Sequence, residues 1–206
     1  MAMVLVGQYD SPFVRRVAVT MQHYGIAYER RVLSVFADAD AVAELTPLGK
    51  VPVLILADGE SIFDSAAILD WLDGEAGPDR ALTPPAGPAR RAVLQHATIA
   101  AGLAERSVEY RGETVRRPEG QRDAARIERL AIQLRASLGW LEARAGGDWL
   151  CGGAMSQADV TAAVALTNLA HKLPQFLEDG ACPRLQALAA RCEALPCFRA
   201  VPFIEG

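Results

Sequence analysis

Tyr9-Asp10-Ser11-Pro12-Phe13-Val14-Arg15-Arg16-Val17 is the stretch whose reading decides the fold. Before it stands a short apolar run of strand length, Met3-Val4-Leu5-Val6. After it, Phe13, Val17, Met21 and Tyr24 recur at helical spacing, and Gly25 sits where a helix would stop. Ser11 reads as an N-cap and Pro12 as a first-turn proline, whose fixed φ suits that position. A strand therefore runs through a short loop onto a hydroxyl at a helix N-terminus. Such an end carries unpaired N–H groups and about half a positive charge. It favours an anion beside Ser11, such as a carboxylate or a thiolate. From this stretch alone Ser11 has two readings: it caps the helix only, or it caps the helix and faces a ligand.

Length and composition bound the rest. The chain has 206 residues, enough for one large domain or two small ones. It is 51% hydrophobic and 22% charged, which is ordinary for a globular protein. A net charge of −4 and a pI near 5.4 give no basic surplus for nucleic acid. The start, Met1-Ala2-Met3-Val4-Leu5-Val6-Gly7, has no basic region and too short an apolar run for a secretory signal. No apolar run is long enough to span a bilayer. The expectation is a cytoplasmic protein with no membrane partner. Cys151, Cys182, Cys192 and Cys197 form no C-x-x-C pair, and they read as free, packed thiols. His23, His96 and His171 have no ligand-spaced neighbours, so no metal site is expected.

Outward from the first helix, Tyr28 to Leu33 alternates imperfectly and reads as a strand. Ala37 to Leu45 reads as a short helix or turn. Thr46-Pro47-Leu48-Gly49-Lys50 reads as a loop. Val51 to Leu56 is strand-like, with Pro52 confined to its start or edge. Asp58-Gly59 lies between two apolar runs, a strong hairpin signal, and Ser61-Ile62-Phe63 is the returning strand. Asp64 is the N-cap of a helix whose apolar face is Ile68, Leu69 and Leu72. The order is βαβαββα, with parallel strands first and a hairpin last.

Composition then shifts. The stretch from Gly77 to Pro88 is dense in proline and glycine and reads as a linker. The expected domains are 1–77, a linker at 78–88, and an all-helical domain at 89–206. Helices are expected over 89–111, over 118–145, from Ser156 to about Lys172, and over 182–194. Ser156 and Asp159 stand at capping-box spacing, with Asp in place of the usual Glu.

Ser11-Pro12-Phe13-Val14-Arg15-Arg16-Val17, Thr46-Pro47-Leu48-Gly49-Lys50-Val51-Pro52-Val53-Leu54 and Phe63-Asp64-Ser65 together resemble a glutathione transferase. The resemblance extends over essentially the whole chain and is closest to serine-type bacterial and plant-like members. It implies an α/β thioredoxin-like N-terminal domain followed by an all-α domain. It implies that Ser11 holds the sulfur of glutathione, with Phe13 nearby. Val51 would pair its backbone with the cysteinyl part, before a cis Pro52. Lys50 would meet the glycyl carboxylate, and Asp64 and Ser65 the γ-glutamyl end. Ser107, Tyr110 and Arg111 would line the second-substrate pocket, with Arg116 and Arg117 beyond them. A homodimer acting in detoxification is implied as well. Two departures stand out. Thr46 occupies a position where Asn is commoner, and Asp64 is one methylene shorter than the more frequent Glu.

The chemistry follows from thiol ionisation. A free thiol has a pKa of about 8.5 and is mostly neutral at pH 7. A hydroxyl donor at a helix N-terminus favours the charged form. Lowering the pKa by about two units takes roughly 2.7 kcal/mol, within reach of one charge-assisted hydrogen bond and a helix dipole. Ser11 acts here as a donor, not a nucleophile. No Cys stands at position 11, so a mixed-disulfide mechanism lacks its thiol. The expected function is transfer of glutathione to a small electrophile. The alternatives are glutathione-dependent peroxide reduction and a non-catalytic glutathione-fold binding protein. On the residues alone Arg15 and Arg16 read as solvated or dimer-facing, and Trp71 and Trp140 as core.

Overall fold

The computed structural model describes residues 2–178 and 180–204. The chain divides into two compact units. One runs to Pro85 and takes in the chain again from Ala194; the other is Ala86–Glu193.

The first unit is built on four short strands: β1 (Val4–Val6), β2 (Glu29–Arg31), β3 (Val53–Ile55) and β4 (Ser61–Phe63). Their order is β2-β1-β3-β4. β1 pairs parallel to β2 and antiparallel to β3, and β3 pairs antiparallel to β4. The parallel pair is joined by α1 (Pro12–Tyr24), as a crossover demands. A short α2 (Ala39–Ala43) follows, and α3 (Ser65–Ala76) closes the pattern. This is a thioredoxin-like mixed sheet. β2 is exposed along its length; its charged Glu29, Arg30 and Arg31 suit an edge strand.

Local chemistry sets these elements. Ser11 has extended backbone and caps α1, with Pro12 at the first helical position. Gly25 ends the helix in the left-handed region at φ 71°. There the Ile26 N–H returns to the Met21 carbonyl at 2.9 Å, a Schellman closure. In the hairpin, Gly59 has φ 97° and Asp58 accepts from the Glu60 N–H at 3.0 Å. Leu5, Val14, Val17, Met21, Leu54, Ile68 and Leu72 form the core of this unit.

The second unit holds α4 (Gly87–Arg111), α5 (Ala124–Glu142), α6 (Gln157–Lys172) and α7 (Pro183–Glu193). α6 is buried along nearly its whole length, so it is the central helix, packed against both α4 and α7. Asp159 reaches back from its first turn to the Ser156 N–H at 2.8 Å, one arm of the capping box.

The structure corrects three expectations. α5 begins at Ala124, not at Pro118. Proline disfavours a helical residue before it, and Arg117 is extended at φ −73°, ψ 133°. Asp123 then supplies the cap, accepting from the Arg126 N–H at 3.0 Å. Between α4 and α5 lie a π-helical turn (Gly112–Arg116) and a 3-10 turn (Glu119–Gln121). A last short helix, α8 (Pro196–Arg199), packs against α1 in the first unit, so the fold divides the chain at two places where composition marked one. Trp71 and Trp140 are half-buried and lie outside the core; Trp140 faces His96, with ring centroids 4.8 Å apart.

Candidate active site

The strand register gathers three segments at one end of the sheet. Val6, the last residue of β1, faces Val53, the first of β3. Val53 in turn faces Phe63, the last of β4. The loop after β1, the loop before β3 and the turn after β4 therefore leave the sheet together. These carry Ser11, Lys50, Val51, Pro52, Asp64 and Ser65. Gly7 shows how closely the first two loops approach. A Cβ built there would stand 2.5 Å from Val14 Cγ2 and 3.0 Å from Val51 Cβ, and its φ is +127°. Beside it the Val51-Pro52 peptide is cis.

Ser11 is half-buried, and its Oγ accepts from the Val14 N–H at 3.4 Å. That long bond uses only the acceptor side. Among the described residues its O–H meets no acceptor, so the hydrogen is available at the helix N-terminus. Phe13 is half-buried one turn inside. Lys50 is exposed and makes no ion pair among the described residues. Thr46 is buried and accepts from the Leu48 N–H at 3.2 Å, so it shapes the loop that presents Lys50. Asp64 caps α3 through the Ala66 N–H at 2.8 Å, while its side chain remains exposed. Ser65, the first residue of α3, is buried.

Arg15 and Arg16 overturn the expectation of a solvated or dimer-facing pair. Both are buried, at 1% and 6% exposure. Arg15 Nε donates to the Val201 carbonyl at 2.9 Å and its guanidinium lies 5.8 Å from the Phe198 ring centre, which fastens the C-terminal segment to α1. Arg16 donates to Ser65 Oγ from Nη2 at 2.6 Å and from Nε at 3.2 Å. Buried arginines are rare without partners, and these partners are 186 and 49 residues distant in sequence. One sequence signal was present: Arg15 and Arg16 lie between the apolar positions Val14 and Val17, in a helix buried on most sides.

The three pocket candidates lie at the C-terminal end of α4, in the second unit. Ser107 is buried, and its hydroxyl donates its hydrogen to the Leu103 carbonyl at 2.8 Å. Tyr110 packs edge-on against Phe176, centroids 5.2 Å apart. Arg111 is half-buried with no ion pair among the described residues. Its neighbours are paired: Arg106 with Glu109 at 3.1 Å, Arg126 with both Glu109 and Glu113 at 3.3 Å, and Arg117 with Glu113 at 2.9 Å. Glu113 is buried, so this chain of charges ties the π-helical turn to the start of α5. Arg117 is thus a structural partner of Glu113 rather than free charge.

Among the described residues, no group of three His, Cys, Asp or Glu could hold a metal ion. No helix among them is long and apolar enough to cross a membrane. All four cysteines are free thiols.

Comparisons with known proteins identify the family. Residues 5–80 match the glutathione S-transferase N-terminal domain, and residues 124–191 match the C-terminal domain. The chain is 41% identical over 71 residues to the GST-like protein YibF of Escherichia coli, a match covering 34% of this chain and 35% of that one. It is 31% identical over 200 residues to a probable glutathione S-transferase, GSTU1, of Oryza sativa, covering 92% of this chain and 84% of the rice protein. A glutathione S-transferase from Methylobacterium radiotolerans, solved with glutathione sulfonate, superposes with a TM-score of 0.91 at 27% identity, covering 100% of this chain and 97% of that one. One from Methylobacillus flagellatus, solved with glutathione bound, gives 0.91 at 29% identity, covering 98% and 100%. Both domain models match, a relative more than 30% identical covers most of the chain, and this chain belongs to the glutathione S-transferase family.

Proposed function

We propose that this protein binds glutathione at the end of its sheet and activates the thiol for attack on a small electrophile. The observation that carries this reading is the register Val6–Val53–Phe63, which brings Ser11, Val51-Pro52 and Asp64-Ser65 to one place. Ser11 would donate its unmatched O–H to the sulfur. The α1 N-terminus adds its partial positive charge, and both favour thiolate over thiol. The Val51 backbone, before the cis bond to Pro52, would pair with the cysteinyl residue, Lys50 would meet the glycyl carboxylate, and the α3 N-terminus with Asp64 and Ser65 would take the γ-glutamyl end. Tyr110 and Arg111 are the proposed polar contacts for the electrophile. Ser107 would offer the electrophile only an acceptor oxygen, since its hydrogen is engaged by the Leu103 carbonyl. A cytoplasmic homodimer with a role in detoxification completes the proposal.

The test is conjugation of glutathione to an activated aryl halide. Wild type should turn over. Ser11→Ala should keep glutathione binding within a few fold and lose about a hundredfold in kcat/KM, the equivalent of about 2.7 kcal/mol. Glutathione binding without conjugation or peroxide reduction by wild type would make the protein a binding module.

A further inference from the structure

Tyr9 stands two residues before Ser11, in the loop that leaves β1, and is only 5% exposed. On the reading that Ser11 activates bound glutathione, we propose that Tyr9 is a positioning residue for the Ser11 hydroxyl. Its side chain, clamped against β2, fixes the turn on which Ser11 stands.

The clamp follows from strand geometry. Glu29 opens β2, and its N–H on the Met3 carbonyl at 2.8 Å carries the pairing with the first strand back toward Tyr28. Alternate residues of a strand share a face, so Tyr28 and Arg30 stand on one face, roughly 6.6 Å apart. Tyr9 spans both. The Arg30 guanidinium lies 3.5 Å from the centre of its ring, and its hydroxyl hydrogen-bonds the Tyr28 hydroxyl at 2.8 Å. Tyr9 is not itself the sulfur's donor. β1 and β2 run parallel, with Val4 opposite Glu29 and Val6 opposite Arg31. Tyr28 therefore lies at the Val4 end, whereas Ser11 follows from the Val6 end, so the Tyr9 hydroxyl reaches back, away from the site. Burial and the Tyr28 hydrogen bond also hold that hydroxyl above its ordinary pKa, so it stays protonated.

The turn needs an anchor, because its own bonds are long. Gln8 to Ser11 form a turn closed by the Ser11 N–H on the Gln8 carbonyl at 3.2 Å. The Ser11 hydroxyl in turn accepts from the Val14 N–H at 3.4 Å. Such bonds centre near about 2.9–3.0 Å, so neither grips Ser11 closely. Before the turn, the Gly7 N–H is fixed to the Arg31 carbonyl of β2 at 2.9 Å. Tyr9, in the middle of the turn, adds a second tie to the same strand. A hydrogen bond to a thiolate depends on direction as well as distance, so freedom gained at Tyr9 becomes freedom of the Ser11 O–H.

The experiment titrates the ultraviolet thiolate absorbance of glutathione bound to wild type, Tyr9→Leu, Tyr9→Phe, Ser11→Ala and the Tyr9→Leu/Ser11→Ala double variant, each saturated with glutathione. Tyr9→Leu should raise the bound thiol's pKa by about one unit, a tenfold fall in the thiolate-to-thiol ratio. Tyr9→Phe keeps the ring under Arg30 and loses the hydroxyl, and should raise it by about half as much. The double variant should match Ser11→Ala alone, because Tyr9 acts through the Ser11 hydroxyl. An unmoved pKa in Tyr9→Leu overturns the proposal, even where urea unfolding shows lower stability, since that marks a structural role. So does a shift in the double variant beyond that of Ser11→Ala. Should Tyr9→Leu fail to fold, Tyr9→Phe and Tyr28→Phe carry the test. They remove one bond from its two sides and should give the same rise, and no rise in either overturns the proposal. Wild type that binds no glutathione, or whose bound thiol titrates at its free value, overturns thiol activation itself, a result distinct from the others.

Discussion

Asp159 offers a stability prediction whose size follows from its contacts. The side chain is fully buried. Its Oδ1 accepts from the Leu150 N–H at 2.7 Å, and its Oδ2 accepts from the Ser156 N–H at 2.8 Å and the Ser156 hydroxyl at 2.7 Å. Two backbone donors and one hydroxyl thus depend on one carboxylate. Asp159→Asn keeps the shape but turns one oxygen into an NH2 group. That group must face a backbone N–H, donor against donor. Each lost bond to a charged acceptor costs about 1.5–3 kcal/mol, so Asn should destabilise by about 2–4 kcal/mol. Asp159→Ala removes every acceptor and a cap arm, and should cost about 4–6 kcal/mol, most of a typical domain's stability. Urea unfolding followed by far-ultraviolet circular dichroism measures this. With a slope of about 2 kcal/mol per molar, the Asn midpoint should fall by about 1–2 M. Asp148→Asn is the control: Asp148 is 87% exposed and 3.7 Å from Arg191, and its loss should cost less than about 0.5 kcal/mol. An Asp159→Asn midpoint as little changed as that of Asp148→Asn would refute the reasoning.

Gly7→Ala should disrupt the site end of the sheet, because the new Cβ meets Val14 Cγ2 at 2.5 Å at a φ of +127°. A drop of about 1–3 kcal/mol in stability together with weakened glutathione binding is expected, read by urea unfolding and calorimetry. Cys151 should resist alkylation near pH 8. Burial, aided by Asp159, pushes its thiol from 9.0 up to about 11. His96 does not activate it, since the Nδ1 that lies 3.5 Å from Cys151 Sγ also lies 2.8 Å from the Ala92 carbonyl and carries its hydrogen there. The folded state favours the neutral thiol, so this contribution to stability is whole below about pH 9 and is lost as pH rises through about 11. Timed iodoacetamide labelling of the folded protein checks it: rates should climb only above about pH 10, and fast labelling at pH 8 would contradict the buried-thiol account.

What was legible in the sequence was what is local. Ser11, Pro12 and Gly25 bound α1 through chemistry within a turn of each residue. Asp58-Gly59 and Asp64 did the same for the hairpin and α3. Ser156 and Asp159 marked α6 at a spacing of three. What escaped depends on partners far along the chain. Arg15 and Arg16 look like surface residues until Val201 and Ser65 are placed beside them. The start of α5 was displaced by competing caps: Pro118 suits a first turn, but Asp123 is followed by an uninterrupted helical run. The return of the chain at α8 has no local marker, because Phe198 becomes core only through its contact with α1. In the candidate site, the backbone-defined positions Ser11, Val51 and Ser65 were legible by motif. The back-bond of Ser107 to Leu103 was not, since it is a property of the folded helix.

The central claim is that Ser11 lowers the pKa of bound glutathione's thiol. Ultraviolet thiolate absorbance of the complex, titrated across pH in wild type and Ser11→Ala, measures it directly. The account predicts a wild-type pKa about two units below the free thiol's value of about 8.5, and a return close to that value in Ser11→Ala. A bound thiol that titrates at its free value in wild type, or a lowered pKa that survives Ser11→Ala, would contradict it.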